Sequence, residues 1–423
     1  MAQLLTAAPP ESTPSSGRSS RHPVGAPRDE LEQQIQALQE KIKTAPPSGP
    51  LLERLGWLYI ARARRGNIPG YYKLAEACAD RMAALNAKDP GVLLLRGHIW
   101  QSLHQFKRAE PVAQELVRIR GASFDFGLLG DVLLDLGRVA EAVEAYQKMV
   151  DLRPDLQSYA RAAQVRWLTG DVDGAVELME MAVHSASPRD PDASAWAYTR
   201  LAHFQWLSEQ TAAARRSVSS ALAVQPEYAP ALLLRGRIEL GLGQTNEAVA
   251  TLRAAARLNP LPEYQWLLAD ALRLCGQDGE QKIVEARMLR DGRGDDPRTV
   301  ALFLATRAAQ PAEALRLARQ ELETRGDVFT HDALAWALWR NGEAREACAE
   351  IKKALAQDTA DARIFLHAAA ILPAAESAAY LAKASALERM LFPSERNELK
   401  KLQPKGAVPA SERLAAVISG NKK

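Results

Sequence analysis

The stretch Leu232–Pro260, LLLRGRIELGLGQTNEAVATLRAAARLNP, decides the fold. It reads as two helices, yet Gly236 sits in the middle of the first and Ala248 and Ala255 lie along the second. Two antiparallel helices approach closely only where the facing side chains are small. Gly236, Ala248 and Ala255 permit that approach. Gly243 turns the chain between the helices, and Pro260 ends the second one. A lone hairpin of this kind cannot bury its apolar face, so copies must stack.

The copies are present. The small residue in the middle of the first helix recurs at Gly56, Gly97, Gly130, Ala163, Ala202, Gly236, Ala269, Ala335 and Ala369. Successive gaps are 41, 33, 33, 39, 34, 33, 66 and 34 residues. The 66 is two units of 33, with a weak unit around TVALFLATRAA between them, and the 41 and 39 carry insertions. Small residues after each turn keep phase at Ala109, Ala142, Ala175, Ala214, Ala248 and Ala347, and prolines close units at Pro90, Pro154, Pro226 and Pro260.

This pattern resembles the tetratricopeptide repeat (TPR) family, whose units carry W-x2-L-G-x2-Y, then A-x3-F, A and P at a period of about 34. Here the match runs through Leu129-Gly130, Ala142, Tyr146, Met149 and Pro154, and through Gly236, Ala248, Leu252, Ala255 and Pro260. It covers about residues 51 to 390. The signature tyrosine is replaced by Leu133, Arg166 and Gln205 in three units, and the units around 276–325 are degenerate. The resemblance implies an all-α, right-handed superhelical solenoid of about nine or ten hairpins. Its stability should be roughly a sum of repeat and nearest-neighbour terms.

Around the array the sequence divides as follows. Residues 1–28 are rich in Pro, Ser and Gly and read as disordered. Residues 29–50 hold an amphipathic helix and a linker; Leu31, Ile35, Leu38 and Ile42 share one stripe. The stripe would pack on the next element or support self-association. The array takes 51–392. Residues 393–402 read as an outer capping helix begun by Ser394, and 403–423 as a flexible tail.

The totals exclude several functions. With 423 residues the chain exceeds one ordinary core. A net charge of +3, from 54 basic and 51 acidic residues, gives no case for nucleic acid. No apolar run reaches the length of a membrane span. Cys78, Cys275 and Cys348 read as buried free thiols, which favours a reducing, cytoplasmic setting; an upstream start would instead allow export to a periplasm. No catalytic motif stands in context, the seven histidines are scattered, and GRGDD at 292–296 reads as a solvated turn. No enzyme, cofactor or metal site is expected.

What remains is surface. In TPR-like solenoids, the resemblance implies, the first helix of each pair lines a concave face that binds peptides or partner proteins. Four residues after the marker stand Trp167, Trp206 and Trp339; Trp266 and Trp336 fall on a similar face. One residue after it stand His203, Arg237 and Asp270, with Arg273 and Arg340 close by. Trp and Arg are enriched at binding hot spots. These ten residues are the expected partner-binding groove. Packing between repeats would claim the same tryptophans. The functional expectation is a protein-binding scaffold or adaptor, with a ligand- or peptide-sensing regulator or an exported assembly factor as alternatives.

Overall fold

A computed structural model describes residues 30–403, apart from 45, 47, 67 and 188. The predicted segment 1–28 and all of the tail beyond Gln403 lie outside the described residues. The described residues form helices and turns, in two compact units divided between Leu152 and Arg153.

The first unit opens with α1 (Glu30–Thr44), followed by three hairpins: α2 (Gly49–Gly66) with α3 (Gly70–Leu85), α4 (Pro90–Ser102) with α5 (Phe106–Ile119), and α6 (Ser123–Asp135) with α7 (Val139–Leu152). The α1 stripe is covered by the chain itself. Ile35, Leu38 and Ile42 are buried in one core with Leu55, Tyr59 and Cys78. Burial pushes the Cys78 thiol up to about 12. Cys275 and Cys348, expected to be buried too, are partly exposed.

The second unit holds seven hairpins: α8 (Leu156–Leu168) with α9 (Val172–His184), α10 (Pro191–Leu207) with α11 (Thr211–Val224), α12 (Ala229–Gly241) with α13 (Thr245–Leu258), α14 (Pro262–Leu274) with α15 (Asp278–Asp295), α16 (Pro297–Thr306) with α17 (Pro311–Leu322), α18 (Val328–Arg340) with α19 (Ala344–Ala354), and α20 (Ala362–Ile371) with α21 (Ala374–Ala386). The described residues therefore carry ten hairpins. The degenerate region around 276–325 is built of them. GRGDD at 292–296 is not a turn: α15 runs through it to Asp295.

Local chemistry explains the starts and the close contacts. Asp89, Asp155, Asp171, Asp190, Asp296, Asp327 and Asp361 each accept a first-turn backbone N–H, satisfying donors a helix start leaves open. In the opening stretch, Gly243 takes φ +75°, where glycine is unstrained. A Cβ on Gly236 would lie 2.5 Å from Leu252 Cγ, so the hairpin seam needs the missing side chain. Gly130 plays the same part against the Tyr146 ring, whose hydroxyl donates to Asp131 at 2.9 Å.

Two features of the second unit go beyond nearest neighbours. Its hairpins wind until the first meets the sixth and seventh. Trp167 stacks on Phe329 at 5.5 Å and donates its indole N–H to the Ala360 carbonyl at 3.1 Å. Thr359 Oγ1 donates to the Leu168 carbonyl at 2.7 Å. The chain then turns inward. A 3-10 turn (Glu388–Met390), Leu391 and Phe392 lead into α22 (Pro393–Leu402), which packs on α14, α16, α20 and α21. The predicted outer cap is an inner segment. Ser394, Glu395, Glu398 and Leu399 are all buried in it.

Candidate functional site

The inner face of the second unit is built by the first helices of its hairpins, as the marker positions require. What meets those side chains is mostly the chain's own segment 387–402. Phe392 sets its ring edge to Trp266 at 5.0 Å and is 1% exposed. Trp266 is 0% exposed and donates its indole N–H to Ser394 Oγ at 3.0 Å. Ser394 in turn donates its backbone N–H and its hydroxyl to Asp270, at 2.9 and 2.6 Å. Asp270 also takes the Arg307 guanidinium at 2.6 Å, so its buried charge is matched. Burial holds the Asp270 carboxyl above its ordinary range, against the pull of Arg307 and Ser394.

The expected Ser394 cap has another owner. The Glu395 side chain accepts the Phe392 N–H at 2.8 Å and pairs with Arg363, while Ser394 is spent on Asp270. Arg340 reaches Glu398 at 3.2 Å. Arg237 donates to the Met390 carbonyl at 3.2 Å. Arg389 lies over the Trp206 ring at 5.3 Å. Arg396 donates to the carbonyls of Leu240, Glu388, Arg389 and Leu391 and so fastens the segment to itself and to α12.

Each expected groove residue now has a place. Trp167, His203, Arg237 and Trp266 converge on one cavity. Trp206, Asp270 and Arg340 hold the inner segment. Trp336 is 2% exposed, stacks on His367 at 4.2 Å and donates to Thr306 Oγ1 at 3.2 Å, which is packing between repeats. Arg273 turns to Glu285 at 3.1 Å. Trp339 is partly exposed.

The cavity, about 370 Å³, lies beside the inner segment. Arg200, Phe329 and Phe392 line it with the residues above. Sequence reasoning missed Arg200, two residues before its marker. The visible signal was a basic residue on the same face as His203. His203 sets its ring edge to Trp167 at 5.7 Å. Burial first, then Arg200 and Arg237, hold its imidazole well below the ordinary histidine range. Among the described residues no three His, Cys, Asp or Glu side chains gather as a metal ion would need.

The neutral His203 has a consequence for stability. In the unfolded chain a histidine takes a proton near pH 6.5; folded, this one does not until well below that. The unfolded state therefore binds the extra proton, and stability falls as pH drops below about 6.5. In His203→Gln that part of the loss disappears. Melting temperatures of both proteins between pH 7.5 and 5.5 check this; parallel curves would show that His203 titrates normally.

The tetratricopeptide repeat profile matches residues 128–194, 201–260 and 233–277. Those stretches of the chain are tetratricopeptide repeats. Several solved structures are also similar. A tetratricopeptide repeat protein from Parabacteroides merdae aligns over 54% of this chain and 87% of its own at 17% identity, TM-score 0.41. The Cut9–Hcn1 hetero-tetramer of the APC/C aligns over 88% and 94% at 14% identity, TM-score 0.39. The human IFIT1 dimer with PPP-AAAA aligns over 77% of both chains at 14% identity, TM-score 0.50. At these identities the likeness concerns the fold alone. No curated protein matches this chain by sequence. No helix among its described residues is long and apolar enough to cross a membrane.

Proposed function

We propose that this protein is a non-enzymatic scaffold that binds a protein or peptide partner on the inner face of its second unit, at Trp167, His203 and Arg237. One observation carries the reading: the neighbouring part of that face already holds a polypeptide segment. Trp266, Asp270, Arg237 and Arg340 grip residues 390–398 by an indole N–H, a carboxylate and two guanidiniums. These are the groups with which a groove reads a peptide, used here in cis. The cavity leaves the adjoining stretch of the face open to a second segment.

Affinity capture from the native lysate tests this, with wild type beside Arg237→Glu, both checked for helicity and size. A partner held by wild type and lost by the folded variant supports the inner face. Equal capture by both moves the site elsewhere on the chain.

A further inference from the structure

We propose that the cavity of the second unit is a binding site for a small oxyanion, a carboxylate or phosphate carried on an apolar group, seated between Arg200 and Arg237. The inference rests on the cavity itself and does not need a protein partner.

The charges on the cavity wall are unevenly matched. On one side Arg363 pairs with Glu395, and Arg298 reaches Asp327 at 3.1 Å. The carboxylates there are also engaged. Asp332 holds His367 Nδ1 at 2.8 Å, and Asp361 accepts the N–H groups of Arg363 and Ile364 at 2.9 and 3.1 Å.

The other side differs. Arg200 donates to the amide oxygen of Gln164 and lies over the Phe204 ring at 4.9 Å; neither group carries a charge. Among the described residues it forms no ion pair. Arg237 spends one N–H on the Met390 carbonyl, has Glu263 only at 3.7 Å, and leaves its Nε without an acceptor. Burial pulls the Arg200 guanidinium down to about 10, which still leaves it charged at neutral pH.

A sequestered guanidinium without a countercharge is costly, and it binds an oxyanion strongly because its planar donors match two oxygens at once. His203, on the same cavity and within the field of both arginines, adds a hydrogen-bonding nitrogen without adding charge. Trp167, Phe329 and Phe392 supply the apolar wall for the group that carries the anion. A volume of about 370 Å³ admits a ligand the size of a substituted benzene ring.

Isothermal calorimetry on the purified full chain tests the site, with phenyl phosphate and benzoate as probes and sodium chloride at equal ionic strength as reference. At least one probe should bind saturably and weaken about tenfold or more in Arg200→Gln, the loss expected for a charged hydrogen bond. Arg237→Gln serves as the second variant should the first misfold. Arg118→Gln, an exposed substitution in the first unit, should bind like wild type. Binding of phenyl phosphate alone assigns a phosphate; binding of benzoate assigns a carboxylate. The site is overturned by no saturable binding of either probe, or by equal binding in the arginine variants.

Discussion

Gly236→Leu is expected to cost the second unit about 3 kcal/mol or more, at the upper end of what overpacking a core does. Even a Cβ at 236 would stand 2.5 Å from both Leu252 Cγ and Cδ2. Leu252 is 0% exposed and cannot swing into solvent, so α12 and α13 must part. Parting them also moves Arg237, which holds the Met390 carbonyl, and Leu240, whose carbonyl takes Arg396. Gly236→Ala should cost less, because alanine's better helix propensity offsets about 1 kcal/mol of the clash. Gly279→Ala is the control. Nothing lies within 4 Å of a Cβ there, and the change should be neutral or slightly stabilising. Urea unfolding followed by circular dichroism reads the difference as a shift in midpoint. Equal midpoints for Gly236→Leu and wild type would mean that the seam does not depend on glycine.

Phe392→Ala should cost about 3–5 kcal/mol, the usual penalty for emptying a buried aromatic site. The ring contacts Trp266, and the guanidiniums of Arg237 and Arg363 lie over it at 5.3 and 5.2 Å. Its removal loosens the anchor that carries Ser394 and Glu395 to Asp270 and Arg363. Withdrawal of Glu395 would leave the Arg363 guanidinium to Asp361 and Asp332. Hydrogen exchange should show protection lost first in residues 387–402, and tryptophan emission should shift to the red as Trp206 and Trp266 meet water. An unchanged midpoint with unchanged exchange would make the inner segment a passive passenger on the groove.

The hairpins were legible because each is a local device. A glycine or alanine at one helix position, another after the turn, and a proline or aspartate at the boundary suffice to specify Leu232–Pro260, and the marker repeats. The inward direction of Trp167, His203, Arg237 and Trp266 was legible for the same reason, since helix geometry fixes which residues follow the marker on one face. The destination of 387–402 was not. Several of the contacts that hold it join residues more than a hundred positions apart, as Trp266 does with Ser394. They follow from small rotations between successive hairpins, which no local spacing encodes. FPSERNELKKL looked like a solvated cap because its charges are dense. Its partners, Arg340 and Arg363, sit on other helices and become visible only once the array has wound around them. Trp336 was ambiguous at the level of sequence because packing and recognition call for the same side chain.

The meeting of Trp167 and Leu168 with Phe329, Thr359 and Ala360 bears on how this protein can change over generations. An open array of repeats gains or loses a unit by recombination at little harm, because each repeat answers only to its neighbours. The second unit has surrendered that liberty. One hairpin spliced in after Val224 would carry Ala360 past Trp167 and Arg389 away from the Trp206 ring. Seven is therefore a fixed number of hairpins in that unit.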